Sequence, residues 1–525
     1  MKVSYEIKLK DCAAVCGSVD WEGGRLTIAP ALPAGVVEYA RATVRVPLGE
    51  DEKIFMNGYQ TWTYCPEYTR AGYTKDIGPI PEAAIRHYGL RSYGDYFFVD
   101  YPQQPGTTHG ESWCYFREGE RFRLFASLDE EPGYTLFRFV SHEDSLTIER
   151  DCAGLAVSGE FHAFDLFYAA GGEDEVFDAW FAEMGVKPRT AQRLAGYSSW
   201  YNRYEDISAA SIRSDLLGCT EQLQPGDLFQ IDDGWEGAVG DWLEPDFLKF
   251  PDGMNAAADE IHAKGFRAGL WLAPFVAEKE SFLFRQHPDW LLQVDGKPWY
   301  AGINWSGFYA LNIDNPEVVT YLTRVFRRVF DEWGYDLVKL DFLYAAAPVG
   351  SEKESRAGRM LRAMKLLRKL CGDKLILGCG VPLMPAFGLV DYCRISCDVG
   401  LDWNDTPLMQ LTHRERVSTR QAIGNTIFRR ELNGRAWLND PDVFFLRSEN
   451  LKLTRREKEI LWTVNGLFSG ILLHSDDMAN WSEEARALYP RIRRLAEAQD
   501  VRVHADHGLS VSYILDGERH SVVVE

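Results

Sequence analysis

The fold is decided by the stretch DLFQIDDGW (227–235), GMNAAADEIHAKG (253–265) and RAGLWLAPF (267–275), which reads as strand, helix and strand in turn. Six further apolar runs of strand length, with helix-like sequence between most of them, are GYSSWY (196–201), YDLVKLDFLY (335–344), KLILGCG (374–380), YCRISCD (392–398), RAWLNDPD (435–442) and GILLHSDD (470–477). Eight strands that alternate with helices are typical of a (β/α)8 TIM barrel, an α/β fold. The connection after KLILGCG is the weakest, because PLMPAFGLVDY has room for at most a short helix.

Short β segments stand on both sides of the predicted barrel. From Lys2 to about Phe167 they are separated by glycine, proline and acidic turns, which predicts an N-terminal β-sandwich. After the last helix, the runs VRVHAD, SVSYILDG and HSVVVE predict a small C-terminal β domain. We therefore expect a sandwich over 1–175, a barrel over 190–495 and a C-terminal β region over 496–525.

Composition argues against several classes of partner. A net charge of -21 and a pI near 5.1 repel a phosphate backbone, so nucleic acid is not expected. The opening residues MKVSYEIKLK lack the apolar core of a secretion signal, and no run has the length to span a bilayer, which predicts a cytoplasmic protein without membrane contact. The ten cysteines are scattered, and His504 and His507 have no third ligand nearby, so we predict no metal and no cofactor.

The carboxyl ends of the predicted strands are rich in acidic and aromatic residues. Active sites of TIM-barrel enzymes lie at these ends, where the loops converge on the barrel axis. The function-capable residues there are Trp200, Tyr201, Asp232, Asp233, Trp235, Trp271, Lys339, Asp341, Cys379, Arg394, Asp398, Asn439, Asp440, Asp442, His474, Asp476 and Asp477. Carboxylates bind sugar hydroxyls and indole rings pack on the apolar face of a sugar, so this mouth suits a carbohydrate.

Lys339 and Asp341 stand two residues apart on one predicted strand. Their side chains therefore point to the same face, and an ammonium group lowers the pKa of a neighbouring carboxyl. An ionised carboxylate is what a glycosidase nucleophile requires. The alternative is a structural ion pair in the barrel mouth.

Arg394 and Asp398 share a face by the same argument, two strands further round the barrel. Two carboxylates in one cavity, Asp341 and Asp398, suit a nucleophile and a general acid. We expect Arg394 to bind a substrate hydroxyl and not to pair with Asp398; the alternatives are a loop cap or a salt bridge between them. Asp232 and Asp233 are binding candidates or turn residues.

Several blocks resemble, in order, those of glycoside hydrolase family 36, the α-galactosidase family. They are SSWYNRY, FQIDDGWE, FPDGMNAAADEIHAKGFRAGLWLAPF, NIDNPE, VKLDFLYAA, RISCD and WLNDPDVF. The resemblance implies a retaining double displacement, in which Asp341 attacks the sugar and Asp398 protonates the leaving oxygen and then activates water.

The resemblance also assigns the binding residues. It places Asp232 and Asp233 at O4 and O6, Trp271 beneath the ring, Lys339 and Arg394 near the reacting centre, Cys379 near O2, Trp200 and Tyr201 at the pocket border, and Trp62 of NGYQTWTY over the mouth. The block KLDFLY departs from the Lys-Trp-Asp followed by Asn-Arg of many members, which leaves open the preference for the leaving group and the quaternary structure, a homo-oligomer included.

The leading hypothesis is hydrolysis of terminal α-D-galactosides in small oligosaccharides of the melibiose or raffinose type. The alternatives are an α-N-acetylgalactosaminidase, an α-galactosyl transferase and an inactive sugar-binding homologue. The surroundings of O2, near Cys379 and Gly380, separate the first alternative from the leading hypothesis, because an acetamido group needs room.

Overall fold

A computed structural model describes residues 1–506 and 508–524. The N-terminal part is a sandwich of two mainly antiparallel sheets, ordered β2-β1-β4-β11-β10-β7, with β12 beside β4, and β3-β13-β9-β8-β5-β6. Its strands are β1 Lys2–Leu9, β2 Val15–Asp20, β3 Gly24–Ile28, β4 Ala31–Arg45, β5 Lys53–Met56, β6 Glu67–Tyr68, β7 Thr107–Glu111, β8 Trp113–Glu118, β9 Arg121–Ser127, β10 Thr135–Val140, β11 Ser145–Arg150, β12 Ala156–Glu160 and β13 Phe164–Gly171. Alternating inward side chains from both sheets form one apolar core between them.

The central part is the predicted (β/α)8 barrel, which is confirmed. Its strands and those of its inserted hairpins are β14 Leu194–Ser198, β15 Leu228–Ile231, β16 Arg267–Leu272, β17 Val276–Glu278, β18 Gln293–Val294, β19 Lys297–Pro298, β20 Tyr300–Gly302, β21 Phe308–Ala310, β22 Leu337–Leu340, β23 Leu375–Gly378, β24 Tyr392–Arg394, β25 Leu438–Asp440, β26 Val443–Phe444 and β27 Ile471–His474. Parallel pairing runs β14-β15-β16-β22-β23-β24-β25 on one side and β14-β27-β26 on the other.

The barrel closes through a strand that is broken in the middle. Only Pro441 and Asp442 separate β25, which pairs with β24, from β26, which pairs with β27. Proline cannot donate to a strand ladder, and Asp442 has a left-handed backbone (φ 74°) that is uncommon outside glycine. The break therefore turns the side chain of Asp442 out of the regular alternation of the strand.

Helices surround the barrel and several begin with side-chain caps. They are α1 Glu82–His87 in the sandwich, then α2 Glu173–Met184, α3 Trp200–Arg203, α4 Ala209–Cys219, α5 Gly253–Ala263, α6 Phe282–Gln286, α7 Pro316–Arg327, α8 Arg356–Cys371, α9 Thr419–Phe428, α10 Arg455–Phe468 and α11 Glu483–Arg493. Asn315 caps α7 by accepting from the Glu317 backbone N–H at 2.9 Å, with proline at the first helical position. Between β23 and β24 stands a single 3₁₀ turn, Met384–Ala386, where the sequence left room for a short helix.

Three antiparallel strands close the described chain: β28 Gln499–His504, β29 Ser510–Leu515 and β30 Glu518–Val523. His507 lies outside the described residues. Within 1–506 and 508–524, no helix combines the length and apolar character needed to cross a bilayer. The borders at 175, 190 and 496 stay predictions.

The sandwich sends one loop, residues 57–65, onto the mouth of the barrel. Arg429, fully buried just after α9, donates to the carbonyl oxygens of residues 58, 60 and 61 and to Asn57 Oδ1. It also donates to the Ile395 carbonyl of the barrel at 3.0 Å. A single guanidinium therefore joins the two domains at the point where Trp62 enters the site.

Replacing Arg429 with methionine should lower the free energy of unfolding by about 3–5 kcal/mol, because several buried carbonyl oxygens would lose their donor. Urea unfolding followed by circular dichroism measures this. The control is Arg41→Met, whose half-exposed guanidinium pairs with Glu149 at 3.1 Å and should change stability by about 0.5 kcal/mol or less. Equal losses in the two variants would contradict the role of Arg429.

Candidate active site

The carboxyl ends of the barrel strands open into a cavity of about 680 Å³. Eight predicted residues line it: Trp62 from the sandwich, and Trp200, Asp232, Asp233, Trp271, Lys339, Asp341 and Asp398 from the barrel. Cys379 and Arg394 lie buried behind these residues. Tyr201 instead lines a neighbouring cavity, with its hydroxyl donating to Asp442 Oδ2 at 2.5 Å.

Asp341 lies at the base of the cavity, directly after β22. Its Oδ1 accepts the Phe342 backbone N–H at 2.9 Å and its Oδ2 accepts the Trp271 indole N–H at 3.1 Å. Burial raises the pKa of Asp341 above its ordinary value, although Lys339 acts in the opposite direction. The expected net lowering of the Asp341 pKa by Lys339 is therefore wrong, because the effect of burial outweighs that of the ammonium.

Lys339 points to the same face as Asp341 but bonds elsewhere. Its ammonium donates to Asp232 Oδ2 at 2.9 Å, and the same oxygen accepts from Gln230 at 2.7 Å. The pKa of Lys339 is raised, because the nearby carboxylates Asp232 and Asp341 outweigh its burial. Lys339 thus binds Asp232 directly, while its positive charge still acts to lower the pKa of Asp341.

Asp233 forms a buried acidic pair with Glu236. Burial raises the pKa of Asp233 to about 6, against hydrogen bonds from Glu236 and from Trp305, whose indole N–H donates to Oδ2 at 2.8 Å. Burial, followed by the charge of Asp233, raises the pKa of Glu236 well above its usual range. The protonated form of Glu236 is therefore favoured more than in an ordinary glutamate, and of this pair Asp233 lines the cavity.

Arg394 links three carboxylates. It donates to Asp398 at 2.7 Å, to Asp440 at 3.1 Å and to Asp442 at 2.9 Å. The expectation that Arg394 avoids a direct pairing with Asp398 is wrong, since three carboxylates converge on this one buried cation. The side chain of Asp398 is 38% exposed, so it reaches from this anchor into the open part of the cavity.

Trp62 closes one corner of the cavity against Cys379 and Gly380. Its indole N–H donates to the Cys379 sulfur at 3.3 Å, and burial raises the pKa of that thiol well above its ordinary value. Gly380 has a left-handed backbone (φ 56°), and a Cβ there would come within 2.9 Å of the Trp62 ring. Only glycine allows the ring to lie this close.

Sequence reasoning missed three contributors to the site. Trp305 comes from the insertion between β20 and β21 and lines the cavity beside Trp271, with ring centroids 6.0 Å apart. Glu236 is the last residue of the block FQIDDGWE, and no role was predicted for it. Glu415 lines the outer cavity and accepts from Thr63 Oγ at 2.7 Å.

The chain is similar to known proteins in sequence and in fold. The family model described as Melibiase matches residues 191–367. An α-galactosidase from Escherichia coli is 32% identical over 153 residues, which are 28% of this chain and 21% of that protein. The matched part thus spans about a fifth of that curated relative.

Two solved structures share the architecture over nearly the whole chain. An α-galactosidase from Thermus thermophilus, solved with p-nitrophenyl α-D-galactopyranoside, is 28% identical with a TM-score of 0.76 and covers 98% of both chains. The family 36 α-galactosidase AgaA from Geobacillus stearothermophilus is 14% identical with a TM-score of 0.59, covering 97% of this chain and 80% of its own. The second likeness concerns the fold alone.

Proposed function

Since the Melibiase family model and the α-galactosidases named above are similar to this chain, we propose that it is a member of glycoside hydrolase family 36. In this proposal it hydrolyses terminal α-D-galactosides, oligosaccharides among them, by a retaining double displacement. The observation that carries the proposal is the placement of two carboxylates, Asp341 and Asp398, in one cavity at the carboxyl ends of the barrel strands. One is buried and held by two donors, and the other is half-exposed.

Asp341 is the nucleophile of this proposal. Its two oxygens are oriented by the Phe342 backbone N–H and the Trp271 indole N–H, so the carboxylate is positioned before substrate arrives. Its burial is unfavourable for a lone anion but favours a transition state with positive charge on the sugar ring. Attack on the anomeric carbon forms the galactosyl-enzyme.

Asp398 is the general acid and base. Its exposed side chain meets both the glycosidic oxygen and incoming water, while Arg394 fixes its position through one oxygen. In the first step Asp398 gives its proton to the leaving oxygen as the C1–O bond breaks. In the second step it takes a proton from water, which attacks C1 and releases Asp341.

Asp232 and Asp233 hold the hydroxyls of the galactosyl ring. Vicinal hydroxyls supply the donors that two adjacent carboxylates need, and Trp305 and Lys339 keep the two carboxylates apart by binding one each. Trp271 and Trp305 offer indole faces to the apolar side of the ring.

Galactose is favoured over N-acetylgalactosamine by the packing of Trp62. Family resemblance places O2 near Cys379, and the Trp62 ring lies against both Cys379 and Gly380. A hydroxyl fits beside a thiol, whereas an acetamido group needs space that the indole ring fills.

Replacing either carboxylate tests the mechanism. Asp341→Asn should lower kcat for p-nitrophenyl α-D-galactoside by on the order of 10⁴-fold or more, since no other group forms the covalent intermediate. Asp398→Ala should lower kcat/KM for methyl α-D-galactoside by about 10²–10⁴-fold, since an alkoxide leaves slowly without a proton.

Azide identifies the two roles. With Asp398→Ala it should capture the galactosyl-enzyme and give α-galactosyl azide, and with Asp341→Gly it should replace the nucleophile and give the β-azide, both read by NMR. Release of β-galactose as the first product of the wild-type enzyme would overturn the retaining mechanism.

Galactose affinity should depend on the protonation of Asp233. Because its pKa is raised to about 6, Asp233 is ionised above that pH and loses its charge as the pH falls through it. The dissociation constant of galactose, measured by calorimetry, should rise roughly tenfold between pH of about 7.5 and about 5. Asp341→Asn should keep this dependence and Asp233→Asn should lose it; the reverse pattern would assign the effect to Asp341.

The selectivity for the sugar is tested with paired substrates. The kcat/KM for p-nitrophenyl α-D-galactoside should exceed that for the α-N-acetylgalactosaminide by about 10²-fold or more, as expected for a group that does not fit. Trp62→Ala should lower this ratio of the two kcat/KM values, because removal of the indole ring makes room for the acetamido group. Preferential turnover of the acetamido sugar by the wild-type enzyme would move the assignment to the N-acetylgalactosaminidase.

A further inference from the structure

The cavity continues beyond Asp398 into an outer part, which we define by its apolar lining. That lining consists of Ile80, Ala84, Tyr88, Leu90, Ile303, Leu408, Met409 and Val417. The residues come from three segments, 78–98 of the sandwich, 299–308 of the barrel insertion and 405–417 after β24. The outer part is thus built where the two domains meet.

These three segments carry an unusual share of exposed apolar surface. Among the described residues, fourteen large apolar side chains are exposed, and seven of them lie here: Tyr88, Phe97, Ile303, Leu408, Met409, Leu411 and Val417. Leu408 is 70% exposed. A concentrated apolar patch beside an active site marks a place where a ligand removes that surface from water.

Hydrogen bonds hold the three segments together, so the apolar patch has a defined structure. The Gly78 backbone N–H donates to the Leu411 carbonyl at 2.7 Å. Ser92 Oγ donates to the Tyr300 carbonyl at 3.0 Å. The first hydrogen bond joins the sandwich to the loop after β24, and the second joins the sandwich to the barrel insertion.

Several polar side chains in the same walls are engaged within the protein. Thr412 Oγ donates to the Met409 carbonyl at 2.6 Å, and Asn304 Oδ1 accepts from the Tyr93 hydroxyl at 2.6 Å. Arg416 is paired with Asp405. A second sugar unit would bring its hydroxyls to walls where these three polar side chains are already bonded and where much of the remaining lining is apolar.

The outer part lies on the side from which the leaving group departs. Asp398 protonates the leaving oxygen, and the loop that carries Leu408, Met409 and Val417 begins directly after it. The same loop returns to Asp398, whose carbonyl accepts the Ser418 backbone N–H at 3.0 Å. A group attached to the glycosidic oxygen therefore extends along these aliphatic side chains.

We propose that this enzyme is selective for α-D-galactosides with an apolar leaving group, such as an alkyl chain, which binds in the outer part of the cavity. The inference rests on the proposed α-galactosidase function and specifies its substrate class. Hydrolysis is unchanged chemically: the C1–O bond breaks, the leaving oxygen takes the proton of Asp398, and an alcohol is released.

A series of methyl, butyl and octyl α-D-galactosides tests this proposal. Their leaving alcohols differ little in acidity, so differences in kcat/KM report binding of the chain. We expect kcat/KM to rise roughly tenfold or more from methyl to octyl, mainly through KM, with each substrate below its critical micelle concentration. Melibiose and raffinose should lie near the methyl compound.

Variants locate the effect. The double variant Leu408→Asn, Met409→Gln should reduce the ratio of octyl to methyl kcat/KM several-fold. The control Leu248→Asn changes a 96% exposed leucine outside the cavity and should keep the ratio. Circular dichroism and thermal unfolding verify that each variant is folded. If the double variant does not fold, Leu408→Asn and Met409→Gln are tested one at a time.

The outcomes separate this inference from the function on which it rests. Absence of turnover of every galactoside, methyl included, would overturn the proposed function. Turnover with a flat chain-length series, or a higher kcat/KM for raffinose than for octyl galactoside, would leave the function standing and overturn this inference. A flat series together with self-association seen by light scattering would assign the apolar surface to a contact between copies of the chain.

Discussion

Two buried cations, Lys339 and Arg394, hold the carboxylates of the barrel mouth in place. Six buried acidic side chains surround them: Asp232, Asp233, Glu236, Asp341, Asp440 and Asp442. A buried carboxylate is stable only when donors or cations replace water. Here Arg394 donates to three acids, and Lys339 donates to Asp232 while its charge also acts on Asp341. The remaining negative charge matches the positive charge that develops on a sugar ring during glycoside cleavage.

The broken strand connects this electrostatic arrangement to the fold. A regular strand across residues 438–444 would place consecutive side chains on alternate faces. Pro441 and the left-handed Asp442 interrupt that alternation, and both Asp440 and Asp442 meet Arg394. Burial raises the pKa of Asp442 to about 6, although Arg394 acts against it. The irregularity that closes the barrel is thus the same one that anchors Arg394, and through it Asp398.

Strand periodicity was sufficient for the fold and for the neighbourhood of the site. Apolar runs of the right length predicted the eight barrel strands, and parity placed Lys339 and Asp341 on one face. The alternation of side chains along one strand does not reveal partners on other strands of the barrel, so it did not predict the hydrogen bond from Lys339 to Asp232. For Asp398 the parity argument did not apply at all, because β24 ends at Arg394.

Residues from outside the repeating units were harder to predict. Trp305 belongs to an insertion whose short strands pair only with one another, so nothing in its local sequence indicates that it reaches Asp233. Trp62 was placed over the mouth only by family resemblance. Such contacts depend on how two separate pieces of chain meet, and no periodic pattern records that.

The division of the cavity between domains has a consequence for how selectivity arises. The inner part is polar and is built mainly on the ends of barrel strands, whose positions are fixed by backbone pairing on both sides. The outer part is apolar and is built on connecting segments, which tolerate changes of side chain without disturbing a hydrogen-bonded sheet. Under the proposed function, recognition of the galactosyl ring depends on the barrel, whereas recognition of the leaving group depends on the loops where sandwich and barrel meet. Since few side chains serve both parts, the preference for the leaving group is free to change while the chemistry proposed for Asp341 and Asp398 stays the same.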